Sequence, residues 1–181
     1  VVLHDAFEHA DFAAWRGWRP GDSALDGELE KITAALGRGG YPADDIEDGV
    51  AVITPMLGHC LTAVLPEGTA LADVPAAQRR PEIEFQFALA PTRVDALLAL
   101  LHRHGVVTAR QGFGLRRRLE GLMTGLIDLT YLHGGRWYVL DWKSNRLPGY
   151  GAADLEQAMT QSEYTLQALI YTLALHRWLR F

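Results

Sequence analysis

The segment that most constrains this chain runs from Leu122 to Asn145, where two stretches rich in aliphatic and aromatic residues flank the pair Gly134-Gly135. A Gly-Gly pair supplies the positive φ angles of a two-residue hairpin loop, so the segment reads as two antiparallel strands. With both glycines in the loop, His133 pairs with Arg136, and counting back along that register sets Asp128 opposite Asp141. Opposed residues have Cβ atoms ~5 Å apart, which puts two carboxylates side by side on one sheet face. Such a pair repels itself unless a cation lies between the two or one keeps its proton. Lys143 follows Asp141 by two residues and by strand alternation shares its face.

Two carboxylates and an ammonium at one hairpin end suit phosphodiester chemistry. Carboxylate oxygens are hard ligands for Mg²⁺, which keeps several waters and commonly binds one or two protein carboxylates together with substrate phosphate. The cation polarises a phosphoryl oxygen and acidifies water, while a lysine orients that water or meets developing charge. An Asp-x-Lys triplet alone is usually a surface ion pair worth ~0–1 kcal/mol. The opposed Asp128 strengthens the catalytic reading, because an apolar hairpin is a costly place for two unpaired acids. A glycosidase-type acid pair fits the spacing too, but Lys143 beside the pair favours ionisation of both, which is wrong for a general acid.

The rest of the chain is organised around this segment. Its 181 residues, 49% hydrophobic and 22% charged, suffice for one sizeable core. A single cysteine, Cys60, excludes an internal disulfide framework, a four-cysteine zinc site and a cysteine-ligated iron–sulfur cluster within the chain; a reducing, cytoplasmic compartment is expected. The net charge of −5 argues against a generally basic, phosphate-coating protein, though locally placed arginines can still guide a backbone. No apolar run is long enough to span a membrane. Helical spacing predicts a first helix from Val2 to Trp15, a second from Leu25 to Leu36 and a third from Ile46 to Leu65, interrupted at Pro55. Alternation of Ile83, Phe85, Phe87 and Leu89 with Glu82, Glu84, Gln86 and Ala88 predicts a strand with one buried face. A helix or loop follows over 93–104, then an Arg-rich approach containing Arg116, Arg117 and Arg118, which either touch DNA phosphates or form a solvated run. Gln167 and Tyr171, four apart, share a helix face that Tyr164 extends. His59-Cys60 reads as helix packing. With helical patterns at both ends, the last through Phe181, and no initiator Met, the chain is expected to be a domain of a longer protein.

The stretches Gly125–Leu129, Tyr138–Asn145 and Gln167–Arg180 together resemble the nuclease domain of RecB-type helicase–nucleases, within the PD-(D/E)xK nuclease superfamily. Upstream, Leu3-His4-Asp-Ala-Phe7-Glu8 is similar to that family's Leu-His-x-x-Phe-Glu, and Glu82-Ile-Glu84-Phe85 to its acidic strand. The resemblance is dense over the last third of the chain, the segment from Gly149 to Tyr164 is somewhat shorter than its counterpart, and residues 16–80 show no clear correspondence.

The resemblance implies an α/β restriction-endonuclease-like core, a mixed central sheet flanked by helices, in a single nuclease domain with an N-terminal helical part (1–80) and a catalytic part (81–181). It implies His4, Asp128, Asp141 and the backbone carbonyl of Trp142 as metal ligands. Lys143 would be the catalytic lysine, Glu82 the upstream acid in preference to Glu84, and Gln167 and Tyr171 the Gln-x-x-x-Tyr pair. The implied activity is exodeoxyribonuclease V-type cleavage of DNA with Mg²⁺ (Mn²⁺ or Ca²⁺ as substitutes) during repair of broken ends, with RecC-like and RecD-like subunits as partners of the parent protein and the isolated domain a monomer. A catalytically silent DNA-binding or scaffold module is the alternative. No Walker loop is present, so a motor is expected outside this chain.

Overall fold

The computed structural model describes residues 2–180; Val1 and Phe181, at the ends of the outermost sequence-read helices, lie outside them. The chain divides into two compact units, one of residues 1–83 and 128–142, the other of 84–127 and 143–181.

In the first unit, helices α1 (Val2–His9), α2 (Asp26–Arg38) and α3 (Ile46–Thr62) pack their apolar stripes into one core, in which Phe7, Trp15, Ile32, Leu36, Leu57, Leu61 and Leu71 are buried. The single helix expected over Val2–Trp15 is two elements. α1 stops at His9, and a 3₁₀ turn takes Phe12–Trp15, where the Asp11 carboxylate accepts from the Ala13 N–H. The Asp11 N–H is also drawn out of the helical ladder, because both Glu28 oxygens accept it at 3.1 Å. Pro55 does not interrupt α3, which runs on to Thr62. Ile53, Leu57 and Leu61 are all buried, and that anchorage outweighs the one helical hydrogen bond a proline removes.

A sheet of order β1-β2-β3 follows, formed by β1 (Arg79–Arg93), β2 (Arg118–His133) and β3 (Arg136–Leu140). β1 has the expected alternation, with Ile83, Phe85, Phe87 and Leu89 half-buried and the intervening residues exposed. The mixed α/β class with this sheet and its helices is that of the restriction-endonuclease-like fold. β2 and β3 pair antiparallel from Leu129↔Leu140 to His133↔Arg136, the register calculated from the two-glycine loop. Gly134 and Gly135 have φ of +56° and +75°, the two positive angles of a type I′ turn, whose twist matches the flanking strands.

The second unit contains α4 (Val94–Arg103), α5 (Ala152–Gln161) and α6 (Tyr164–Trp178). α6 ends at Trp178, short of the chain end. Val94, Leu98, Leu101, Val107, Ile127, Ala174 and Leu175 are its buried apolar residues. Glu163, between α5 and α6, adopts a left-handed conformation and pairs with Arg110. Among the described residues no helix is long and apolar enough to cross a membrane.

Candidate active site

Within the first unit the hairpin brings Asp128 to a pocket that His4, Glu8, Arg79, Glu82 and Trp142 also line, whereas Asp141 is not among its lining residues. His4 comes from the buried face of α1, one residue after Leu3. Asp128 lies on β2 one residue before the last β2–β3 rung, Leu129↔Leu140, and Asp141 is the first residue after β3, so continuing the register would set the two across from each other. Asp128 Oδ2 accepts the Trp142 N–H at 2.8 Å, holding the chain in line after β3 ends. His4 Nε2 lies 3.1 Å from the Trp142 carbonyl oxygen and 3.4 Å from Asp128 Oδ2. The His4 imidazole nitrogen thus stands within 3.4 Å of both a carbonyl oxygen and a carboxylate oxygen.

Trp142 is fixed by a ring stack on Phe7, with centroids 3.8 Å apart and planes within 6°. In the sequence Phe7 reads as one of the helically spaced apolar residues of the first helix and as part of the Leu-His-x-x-Phe-Glu motif; its partner lies 135 residues away, and no local pattern connects them. The stack ties the α1 residue three after His4 to the residue whose carbonyl His4 faces.

The charge balance of the pocket favours a cation. Glu8, Glu82 and Asp128 line it, against Arg79, whose guanidinium lies over the Phe12 ring at 3.9 Å. Burial pushes the Glu82 carboxyl above its ordinary range, and the neighbouring charges of Glu8 and Asp128 push it the same way. Glu82 also has a φ of +48°, a left-handed conformation that non-glycine residues adopt rarely and at a cost. Glu84, the other candidate acid, falls in the second unit and lines a different groove. A further group, Asp5, Glu8 and His9 on α1, has ligand-type atoms within 4.8 Å of one another, but the Asp5 carboxylate is engaged by Arg38 through two hydrogen bonds of 2.9 Å.

In the second unit, Lys143 Nζ donates to Gln167 Oε1 at 2.8 Å, and Gln167 Nε2 donates to the Tyr171 hydroxyl at 2.8 Å. The i,i+4 spacing of Gln167 and Tyr171 on α6 makes that relay possible. The Lys143 ammonium also lies 4.4 Å from the centre of the Tyr164 ring, and the Tyr164 hydroxyl donates to Asn145 Oδ1 at 2.9 Å. Four side chains thus define where the lysine stands. Arg116, Arg117 and Arg118 line a separate pocket of this unit together with Arg93 and Asp95. His59 packs edge-on against Trp18 at 5.2 Å between ring centres.

With a histidine and acidic residues around one pocket and an Asp-x-Lys triplet leaving the hairpin, the chain matches the PD-(D/E)XK nuclease superfamily over residues 4–180. The chain belongs to that superfamily. It is 43% identical, over 99% of its length, to the RecBCD enzyme subunit RecB of Haemophilus influenzae, and 35% identical, over 70%, to that of Escherichia coli. A shorter stretch, 35% of the chain, is 44% identical to the RecB subunit of Mycobacterium tuberculosis. The chain spans only 14% and 12% of the length of the first two relatives.

Proposed function

We propose that this chain is the Mg²⁺-dependent nuclease domain of a RecB-type helicase–nuclease, one domain over residues 1–181, which hydrolyses DNA phosphodiester bonds as broken ends are processed for recombinational repair. The observation that carries the reading is the approach of His4 Nε2 to both the Trp142 carbonyl and Asp128 Oδ2. Their separations of 3.1 and 3.4 Å match the ~3 Å between neighbouring ligands of an octahedral cation with bonds of ~2.1 Å. With Asp141 across from Asp128, these residues would hold the metal, and Mn²⁺ or Ca²⁺ could occupy the same oxygen-rich set. When bound, the ion supplies Lewis-acid polarisation of the phosphate and a water acidified toward neutral pH.

The chain's own residues do the remainder. Phe7 fixes the Trp142 carbonyl, and Asp128 fixes the Trp142 N–H, so a neutral oxygen and a carboxylate oxygen are presented with little freedom. Glu82, its carboxyl held above the ordinary range, is suited to accept a proton from water or to steady it. Lys143, positioned by Gln167 and the Tyr164 ring, would supply the positive charge that a pentavalent phosphate calls for. Tyr171 holds Gln167 in the orientation that presents Oε1 to the lysine. Arg116, Arg117 and Arg118 would contact the DNA backbone. The parent protein would act in the cytoplasm with RecC-like and RecD-like subunits, the isolated domain being a monomer.

The test is cleavage of linear single-stranded DNA by this chain with Mg²⁺, with EDTA, and after Asp141→Ala. Cutting that is abolished by chelation and by the substitution supports the reading. Cutting that survives Asp141→Ala contradicts the site, and a chain that neither cuts nor binds Mn²⁺ is the silent module instead.

A further inference from the structure

The second unit carries a groove that the hydrolytic chemistry does not use, lined by Glu84, Phe85, Phe87, Arg177, Trp178 and Arg180, among others. Its rings continue outward from the Lys143–Gln167–Tyr171 relay. Tyr171 lies edge-on to Phe85 at 5.9 Å between centres, and Phe85 is stacked with Phe87 at 5.8 Å and 20°. The Arg177 guanidinium in turn covers Phe87 at 4.7 Å. The sequence makes room for this series at Gly125, where a Cβ would stand 2.4 Å from the Phe85 ring. Gln167, Tyr171, Ala174 and Trp178 recur at i, i+4, i+7 and i+11 on α6, one stripe extending ~16 Å. At its far end Trp178 is 45% exposed.

Flat aromatic and guanidinium surfaces beside positive charge match the two features of an unpaired strand, the faces of its bases and its phosphates. A duplex keeps its base faces stacked on one another and has no use for such a surface. The charge is also local. In a chain of net charge −5, the groove sets Arg177 and Arg180 against Glu84 alone. We propose that this groove binds single-stranded DNA, with bases stacked on the Trp178 ring and on the Arg177 guanidinium that covers Phe87, and phosphates met by Arg180. The inference rests on the nuclease reading for the identity of the ligand and adds where the strand lies.

The experiment measures fluorescence anisotropy of a labelled single-stranded oligonucleotide against the 181-residue chain in EDTA, so that nothing is cut. An oligonucleotide of the same length with abasic sites at its centre serves as the second probe. Trp178→Ala is expected to weaken binding of the intact strand on the order of tenfold, the size of one lost base stack, and to leave binding of the abasic strand unchanged. Trp178→Phe, which keeps a ring, is expected to recover most of the loss, and Arg180→Ala to weaken both strands alike. Equal binding of the intact strand by the unsubstituted chain and Trp178→Ala would overturn the proposal, as would an equal loss for intact and abasic strands. Cleavage by the unsubstituted chain in Mg²⁺ is read alongside. Neither cutting nor Mn²⁺ binding, with Trp178-dependent DNA binding, would sink the hydrolase reading and keep the groove, whereas cutting with Trp178-independent binding would sink the groove alone.

Discussion

Glu28 shows how one side chain sets a backbone. Its carboxylate, 4% exposed, accepts from the Asp11 N–H, from Trp15 Nε1 at 2.9 Å and from Lys31 Nζ at 2.6 Å. Removing it strands the buried Trp15 indole N–H, the part-buried Asp11 N–H and a cation, and hydrogen bonds to a charged group are worth ~1.5–3 kcal/mol each before partial repair by water. Glu28→Ala should therefore cost about 2–4 kcal/mol in urea unfolding. Trp15→Phe on top of it should add less than it costs alone, because the two share a bond. Glu82 presents the opposite case, a residue whose conformation is held at a cost. An L-residue in the left-handed region gives up ~1–2 kcal/mol that glycine does not, against ~0.5–1 kcal/mol of extra chain entropy for glycine. Glu82→Gly should leave the unfolding midpoint unchanged or raise it while DNA cutting falls at least tenfold. A clear loss of stability would mean that the carboxylate is a structural partner and not a functional one.

At the scale of elements the hairpin was the most legible part of the sequence, because its register depends on two adjacent glycines and on a period of two, both local. The same locality exposed the Gln167–Tyr171 face of α6 and the alternation in β1. What escaped was set by distant partners. The break after α1 depends on Glu28, 17 residues away, and the seat of Trp142 depends on Phe7. Pro55 misled the reading of α3 because local propensity yields to an anchored apolar stripe. The opposed acids Asp128 and Asp141 were legible in the hairpin, whereas His4 and Glu82 needed the family pattern. The turn itself gives a direct prediction. At φ +56° and with nothing within 4 Å of a Cβ, Gly134 is held by conformation and not by crowding. Gly134→Val should cost about 1–2 kcal/mol, and Gly134→Asn close to none, since Asn tolerates left-handed geometry. Equal costs on thermal unfolding would mean the turn is not type I′ in solution.

Across the whole molecule, the proposed metal ligands and the proposed catalytic lysine fall in different compact units. His4, Glu82, Asp128, Asp141 and Trp142 belong to the first compact unit, and Lys143, Gln167 and Tyr171 to the second. The first unit holds the donors that suit a divalent cation, and the second holds the ammonium and the relay that orients it. Binding of the ion and use of the lysine should therefore be separable by substitution. The measurement that bears most directly on this account is Mn²⁺ binding followed by electron paramagnetic resonance, in the unsubstituted chain, in Asp128→Asn, in His4→Ala and in Lys143→Ala. The expected result is a saturable site that Mg²⁺ displaces, lost in Asp128→Asn, weakened at least tenfold in His4→Ala and retained in Lys143→Ala. Binding in Asp128→Asn as tight as in the unsubstituted chain would contradict it.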